Sequence, residues 1–545
     1  MSENNVNSQP ASAPSGVALQ RPGAMVLLAL GLGLAFEVFF YKRAPGLSVL
    51  LWLALGVGAA LAAAATERTR LSLGAAFLLA LILSLAGMTY LRLEPLTVFL
   101  DLLLGLALFA LVARLARHDQ LLDLGWLDMA WTLVAVPLEA WIRPWPILGD
   151  VWARNVRERG SRKVVFSILR GVALALPIVV IFGALLGAAD LVFGDFLEAA
   201  LRWLDLERLA DWVGRGAVIA VVGLFCLGIL AVAYRTHEER PLIGRDRPWI
   251  APFLGFTEAA MILGALDLLF VGFVGVQFAY LFGGEANIHA AGYTYAEYAR
   301  RGFGELVAVG FLSLGLIYSL AAVTRTPETR SRRVFATLSA LLVVLVSVIL
   351  VSAWQRLALY ESAYGFSRLR TYTHVALPWL GIAFAAFLAL LLVRRLRALA
   401  PVGLALALGF TLTLNAVNVD AFIVARNTER LASTGDIDVG YLLQLSDDAV
   451  PSLARLAQQA ASEVKVELLP QLACRQAALT RAARGRSWLS SHASRLTAQR
   501  SLEGLADVLE PYRVVREYHG LADDRWPSYL VIGPEGTETC QYVWD

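Results

Sequence analysis

Six ionisable side chains fall inside long apolar runs of this sequence: Glu37, Asp101, Arg170, Glu258, Asp267 and Glu305. A charge within a bilayer is costly, so each must pair, reach the interface or face water. Glu37 lies close to one end of its run. Arg170 can snorkel from about two turns inside the inner end. Asp101 and Glu305 sit near helix starts, where a carboxylate also suits the N-terminal dipole. Asp267 differs. It falls midway along the longest run, with Glu258 nine residues before it on a similar helix face. Two readings stand for Asp267: a proton or cation relay, or one buried hydrogen bond to a neighbouring span, with Arg170 as the candidate partner.

A second group of polar residues gathers where apolar runs end. The stretch from Tyr293 to Glu305 holds Glu297, Arg300 and Arg301; that from Tyr360 to Arg370 holds Glu361, Arg368 and Arg370; that from Asn415 to Asn427 holds Asp420 and Arg426. These arginines and acids are expected to form one ion-paired network at the membrane surface, while the tyrosines suit an interfacial aromatic belt. Nothing else in the chain carries a recognisable chemistry. The six histidines include no His-Glu-x-x-His spacing, and there is no phosphate-binding glycine loop, no Gly-x-Ser-x-Gly elbow and no Cys-x-x-Cys. No catalytic residue, metal ligand or cofactor is therefore assigned.

The elements that must position these groups follow from composition. The chain has 545 residues, 58% hydrophobic and only 17% charged, whereas an ordinary soluble domain carries about 25% charged residues. The apolar surplus must face lipid. A hydrocarbon core of about 30 Å takes roughly 20 residues of helix, and eleven windows qualify: 23–41, 45–65, 71–90, 95–112, 164–189, 216–234, 252–282, 303–323, 334–354, 374–393 and 401–417. A further stretch, 121–142, is apolar but carries Asp123, Asp128 and Glu139, which suits a helix lying in the interface better than a twelfth span. Lys+Arg and Asp+Glu nearly balance, 47 against 44, so charge points to no nucleic-acid partner.

With eleven spans and the N-terminus inside, the inner loops hold twice as many Lys and Arg as the outer ones, as the positive-inside rule requires. That places residues 420–545 outside the membrane. Their 13 basic and 17 acidic residues and mixed patterning describe a small α+β unit. Residues 437–459 read as helix, 464–469 and 512–518 as strands, and 528–532 with 537–544 as a terminal hairpin around Gly-Pro-Glu-Gly. The basic stretch 473–499 is helical in composition and reads as a solvated surface rather than a headgroup-binding one. Cys474 and Cys540 both lie in this unit; they are either one disulfide, as an oxidising compartment favours, or two buried thiols.

Three of these stretches carry a resemblance. Tyr-Ala-Glu-Tyr-Ala-Arg-Arg-Gly-Phe (295–303), Tyr-Glu-x-Ala-Tyr-Gly-x-x-Arg-Leu-Arg (360–370) and Asn-x-Asp-Ala-Phe-Ile (418–423) resemble the signatures of a bacterial membrane family, domain of unknown function 4173, related to family 4153. The stretch 437–451, with Leu445-Ser446-x-Asp-Ala-Val-Pro, fits as well, so the resemblance covers 164–453. It departs at Val419, where the family pattern has Pro. The resemblance implies a bacterial polytopic membrane protein and supplies no activity.

The sequence thus describes an all-α polytopic integral membrane protein of about eleven transmembrane helices with a small C-terminal α+β extramembrane domain. Its divisions are a disordered cytoplasmic tail (1–22), helices one to four (23–118), an interfacial helix and basic loop (119–163), the family-like membrane core (164–419) and the extracytoplasmic tail (420–545), in a bacterial cell membrane. The expected partners are the lipid bilayer and another membrane protein. The first functional reading is a signalling or envelope-associated protein working through partners. The alternative is a secondary transporter or proton pathway using Asp267 and Glu258, and a third is an enzyme acting on lipid-linked substrates.

Overall fold

A computed structural model describes residues 19–117, 120–158, 206–234, 251–281, 303–325, 328–517 and 528–541, with isolated positions between 171 and 196. Ten helices among the described residues are long and apolar enough to cross a membrane. They are α1 (Pro22–Phe40), α2 (Leu47–Thr66), α3 (Leu73–Leu91), α4 (Pro95–Leu115), α7 (Leu206–Tyr234), α8 (Phe256–Leu281), α9 (Phe303–Val323), α10 (Thr329–Tyr364), α11 (Arg368–Leu392) and α12 (Leu399–Val417). Each coincides with one of the predicted windows. Of the remaining window, 164–189, only isolated positions are described, and Arg170 is not among them.

These helices are apolar on all sides because one side meets other helices and the other meets lipid. Leu27 and Leu34 of α1, Leu106 of α4 and Leu312 of α9 all point outward, whereas Ile82, Leu108 and Phe384 are fully buried. Helix ends are set by local polar groups. Ser72 accepts the amide of Ala75 at the start of α3, and Glu94 accepts those of Leu96 and Thr97 at the start of α4, ahead of Pro95. Both are N-cap arrangements that satisfy otherwise orphaned donors.

Two packed groups make up the bundle. In the first, α1 runs along α7 and α3 along α4; in the second, α8, α9 and α11 surround the long α10. Helix α12 links them, packing on α11 and on α4. The stretch read as interfacial forms α5 (Trp126–Ile142), continued by α6 (Pro144–Glu158). Helix α5 lies against α4 and α7, with Asp128 3.8 Å from Arg114 at the end of α4. A Cβ on Gly228 would run into the carbonyl of Ala140, so only glycine permits this α5–α7 crossing.

The chain leaves α12 through Asn418, which adopts φ +54° and also caps α13 (Val419–Thr434). Val419 is therefore the first residue of a helix. That is a position where proline is favoured, because its missing N–H is one that no intrahelical bond uses there. Beyond it lie α14 (Val439–Leu443), α15 (Val450–Gln459), α16 (Ser462–Gly485), α17 (Ala493–Glu503), α18 (Ala506–Leu509) and three strands, β1 (Arg513–Glu517), β2 (Ser528–Gly533) and β3 (Gly536–Thr539). The strands pair antiparallel in the order β1-β2-β3, with Val514 opposite Val531 and Leu530 opposite Thr539.

One predicted strand is corrected. Residues 464–469 (Val-Lys-Val-Glu-Leu-Leu) alternate locally, but they belong to the helix α16. The apolar set continues through Leu468, Leu472 and Leu479, all buried. That three-and-four spacing fits a helix and outweighs six residues of alternation. Val531 and Tyr529 of β2 are also buried, with the sheet packed on α16. A disulfide joins Cys474 of α16 to Cys540 just after β3, closing 66 residues of chain. The core of this C-terminal domain includes Leu414 of α12 together with Ile423, Leu453 and Leu472, so it is continuous with the end of the bundle.

Candidate functional site

Four chain segments meet where the bundle joins the C-terminal domain, and charged groups fasten them. Arg368 opens α11, where its guanidinium donates twice to Asp420, Nε to Oδ1 at 2.8 Å and Nη2 to Oδ2 at 2.7 Å. The Asp420 side chain is fully buried at the first turn of α13 and also accepts the amide of Ser446 at 2.8 Å. This bidentate pairing is the strong, directional form of an arginine–carboxylate contact. Arg368 Nε also lies 4.0 Å from Glu94, which accepts the Tyr372 hydroxyl. Tyr441 in turn accepts the amide of Arg368 at 2.8 Å.

Asp448 fastens the domain from the other side. Its carboxylate accepts the amides of Leu93 and Glu94, at 2.7 and 3.0 Å, in the loop between α3 and α4. Burial pushes the pKa of this carboxyl up, although the Leu93 amide opposes the shift. Its neighbour Asp447 is equally buried and sits 3.4 Å from both Arg475 and Arg495. A third attachment uses the loop before α2. The His492 imidazole lies 2.8 Å from the carbonyl of Pro45, and a Cβ on Gly46 would fall 2.7 Å from Ser490. Burial draws the His492 pKa down, and Arg495 adds to that effect.

Of the eight outer residues singled out from sequence, Arg368 and Asp420 are joined directly. Arg370 turns instead to the carbonyls of Tyr364 and Gly365 and stacks over the Tyr360 ring. Glu361 faces His374 at 3.1 Å, and Arg426 pairs with Glu429 at 2.8 Å on an exposed helix face. Glu297, Arg300 and Arg301 lie outside the described residues. The expected single network is thus, among the described residues, a set of separate contacts with Arg368–Asp420 at the centre. Sequence reasoning missed Glu94, Tyr372, Asp447, Arg475 and Arg495. The acid pair 447–448 lay inside a recognised motif, but no pattern ties Glu94 to partners 278 residues away.

Inside the bundle the candidates separate. Asp101 is buried in α4, where both carboxylate oxygens accept from the Asn415 amide at 3.0 and 3.2 Å. Glu37, also buried, pairs with Arg215 at 2.5 Å. Glu305 is exposed in the first turn of α9. Asp267 is buried on α8, and neither of its oxygens has a hydrogen-bond partner among the described residues. It interrupts the buried stripe Ala259, Leu263, Phe270, Val274, Gln277 of the helix that packs on α10. Glu258 does not share that face. Nine residues at 3.6 per turn amount to two and a half turns, so Glu258 is exposed on the opposite side and caps α8 through the Gly255 amide at 2.6 Å. The expectation that the two carboxylates share a face is corrected.

With this geometry in place, comparison with known proteins gives the family. The model of Domain of unknown function (DUF4153) matches residues 76–456, and the chain belongs to that family. The match is to 4153 itself, not to the related 4173 suggested by the motifs, and it begins in α3, well before the resemblance seen in the sequence. It contains Glu94, Arg368, Asp420, Asp447 and Asp448 and stops short of both disulfide cysteines. No curated protein and no solved structure matches the chain. The fold and family together define a multi-pass integral membrane protein with a domain docked on one end of its bundle.

Proposed function

We propose that this protein is a signalling or envelope-associated component of a bacterial cell membrane that acts through partner proteins, with the C-terminal domain on the extracytoplasmic side as the element that engages them. The observation that carries this reading is the buried Arg368–Asp420 pair between α11 and α13, which holds the domain to the bundle. A domain fastened this way moves with the helices beneath it, so binding at its surface is felt in the membrane. The charge bias of the short loops supports the outside placement, as does the Cys474–Cys540 disulfide, since such bonds persist in oxidising compartments.

The test is site-specific photo-crosslinking in native membranes from Leu496, Val508 and Ile532, exposed apolar residues of the domain. Adducts of defined size are expected from these sites and not from Arg394 at the opposite end of the bundle. A chain recovered alone from all of them contradicts the reading.

One observation favours a second reading, a proton or cation pathway: the unbonded Asp267 carboxyl in the α8–α10 interface. Glu258 has no part in it. Flux in reconstituted vesicles that disappears in Asp267→Asn supports this reading, and flux that is absent in the wild type or unchanged in the variant removes it.

A further inference from the structure

The first helix group borders a partly open cavity of about 490 Å³ between α1 to α5 and α7, with the outward-facing Leu102, Leu103 and Leu106 of α4 at its open side. Protein interiors are close-packed, and voids of this size are few. The volume falls within the roughly 300–1,000 Å³ typical of small-molecule sites. The cavity extends from Phe40 and Thr89, at the end that carries the C-terminal domain, to Ala116 and Tyr234 at the other. Its wall is almost wholly apolar and rich in aromatic rings, among them Phe36, Trp52, Phe109 and Phe225, and no lysine or arginine lines it among the described residues.

Besides the Cys226 thiol and the Trp52 indole, which donates to the Leu32 carbonyl at 3.1 Å, three oxygen-bearing side chains reach the wall, and two are already committed. Thr89 donates to the Ala86 carbonyl at 2.9 Å and Tyr234 to the Ala60 carbonyl at 2.7 Å. The third is Asp101, whose side chain is 1% exposed. Its two oxygens share a single donor, the Asn415 amide nitrogen, which also serves the Thr411 carbonyl at 3.0 Å. A carboxylate offers about four acceptor positions, and one amide nitrogen leaves part of that capacity unused in the wall of an apolar, aromatic cavity. An apolar wall disfavours an unpaired anion, and aromatic faces attract a positive charge.

We propose that this cavity is a binding site for a lipophilic organic cation, with the apolar body among the aromatic side chains and the positive charge against Asp101. The surrounding bilayer concentrates such compounds and delivers them to the helices. The site is independent of the partner reading above and of Asp267.

The experiment measures binding of radiolabelled tetraphenylphosphonium to the full-length protein in lipid nanodiscs, beside tetraphenylborate, an anion of the same shape. Saturable binding of the cation alone is expected, weakened at least tenfold in Asp101→Asn and retained in Asp101→Glu. Gly105 lines the cavity at a point where an added Cβ meets nothing within 4 Å. Gly105→Leu therefore fills the chamber without straining its wall and is expected to abolish binding, which keeps the test open should Asp101→Asn fail to fold. Leu312→Ala, on the lipid-facing side of α9, is expected to bind as the wild type does. Equal binding of the anion, no saturable binding to the wild type, or full binding to Asp101→Asn and Gly105→Leu would each overturn the proposal; the first would indicate a site for hydrocarbon chains regardless of charge.

Discussion

Asp420 is the residue on which the junction depends most, because it is fully buried and its two oxygens serve Arg368 and the Ser446 amide together. Removing one partner of a buried pair leaves an uncompensated charge, at a cost of about 3–5 kcal/mol. Asp420→Ala is accordingly expected to lower the unfolding free energy of the solubilised protein by about that amount. Arg426→Ala, which breaks an exposed i,i+3 pair, is expected to shift it by about 1 kcal/mol or less. A second prediction concerns pH. Burial disfavours the charged form of the His492 imidazole, whose Nε2 lies 2.8 Å from the Pro45 carbonyl. Its folded pKa lies below the unfolded value of 6.5, so its contribution is complete above pH 6.5 and is lost as pH falls through the folded value. Thermal stability is expected to drop between pH 7.5 and 5.5 more in the wild type than in His492→Gln, whose amide can still donate to Pro45; parallel curves contradict this. Sequence alone could read Arg368 and Asp420, because they stood in polar clusters at span ends. Glu94 stayed hidden because its Arg-Leu-Glu-Pro context looks like an ordinary helix start, which it also is.

At the scale of the element, the apolar runs predicted ten helices well because a bilayer permits little else: any spanning segment must satisfy its backbone internally. What the runs do not encode is which faces meet. Asp267 and Glu258 seem neighbours along the chain, yet half a turn separates their faces, and only packing on α10 shows which one is buried. Likewise Val464–Leu469 alternates like a strand until the buried residues of the following turns are counted. Glycine carries more of the packing information. The close approach of α5 to α7 at Gly228 leaves no room for a side chain against Ala140. Gly228→Val is expected to cost about 1–3 kcal/mol by overpacking. Denaturation of the variant checks this, and an unchanged midpoint would show that the crossing can open freely.

For the whole molecule, one arrangement links these parts. The loop before α2, the loop between α3 and α4, the start of α11 and the end of α12 all touch the C-terminal domain through Pro45, Leu93, Arg368 and Leu414, so they share one end of the bundle. The alternation of spans inferred from the charge of the loops puts these four segments on one side as well. The composition made the membrane class legible; the docking was not, since it joins groups as much as 447 residues apart and rests on burial rather than on any local pattern. The central claim is that the docked domain faces the extracytoplasmic side. It is tested most directly by placing a cysteine at the exposed Glu503 and treating intact cells with a membrane-impermeant maleimide. Labelling of Glu503→Cys before permeabilisation is the predicted result, and labelling only after the membrane is opened would contradict it.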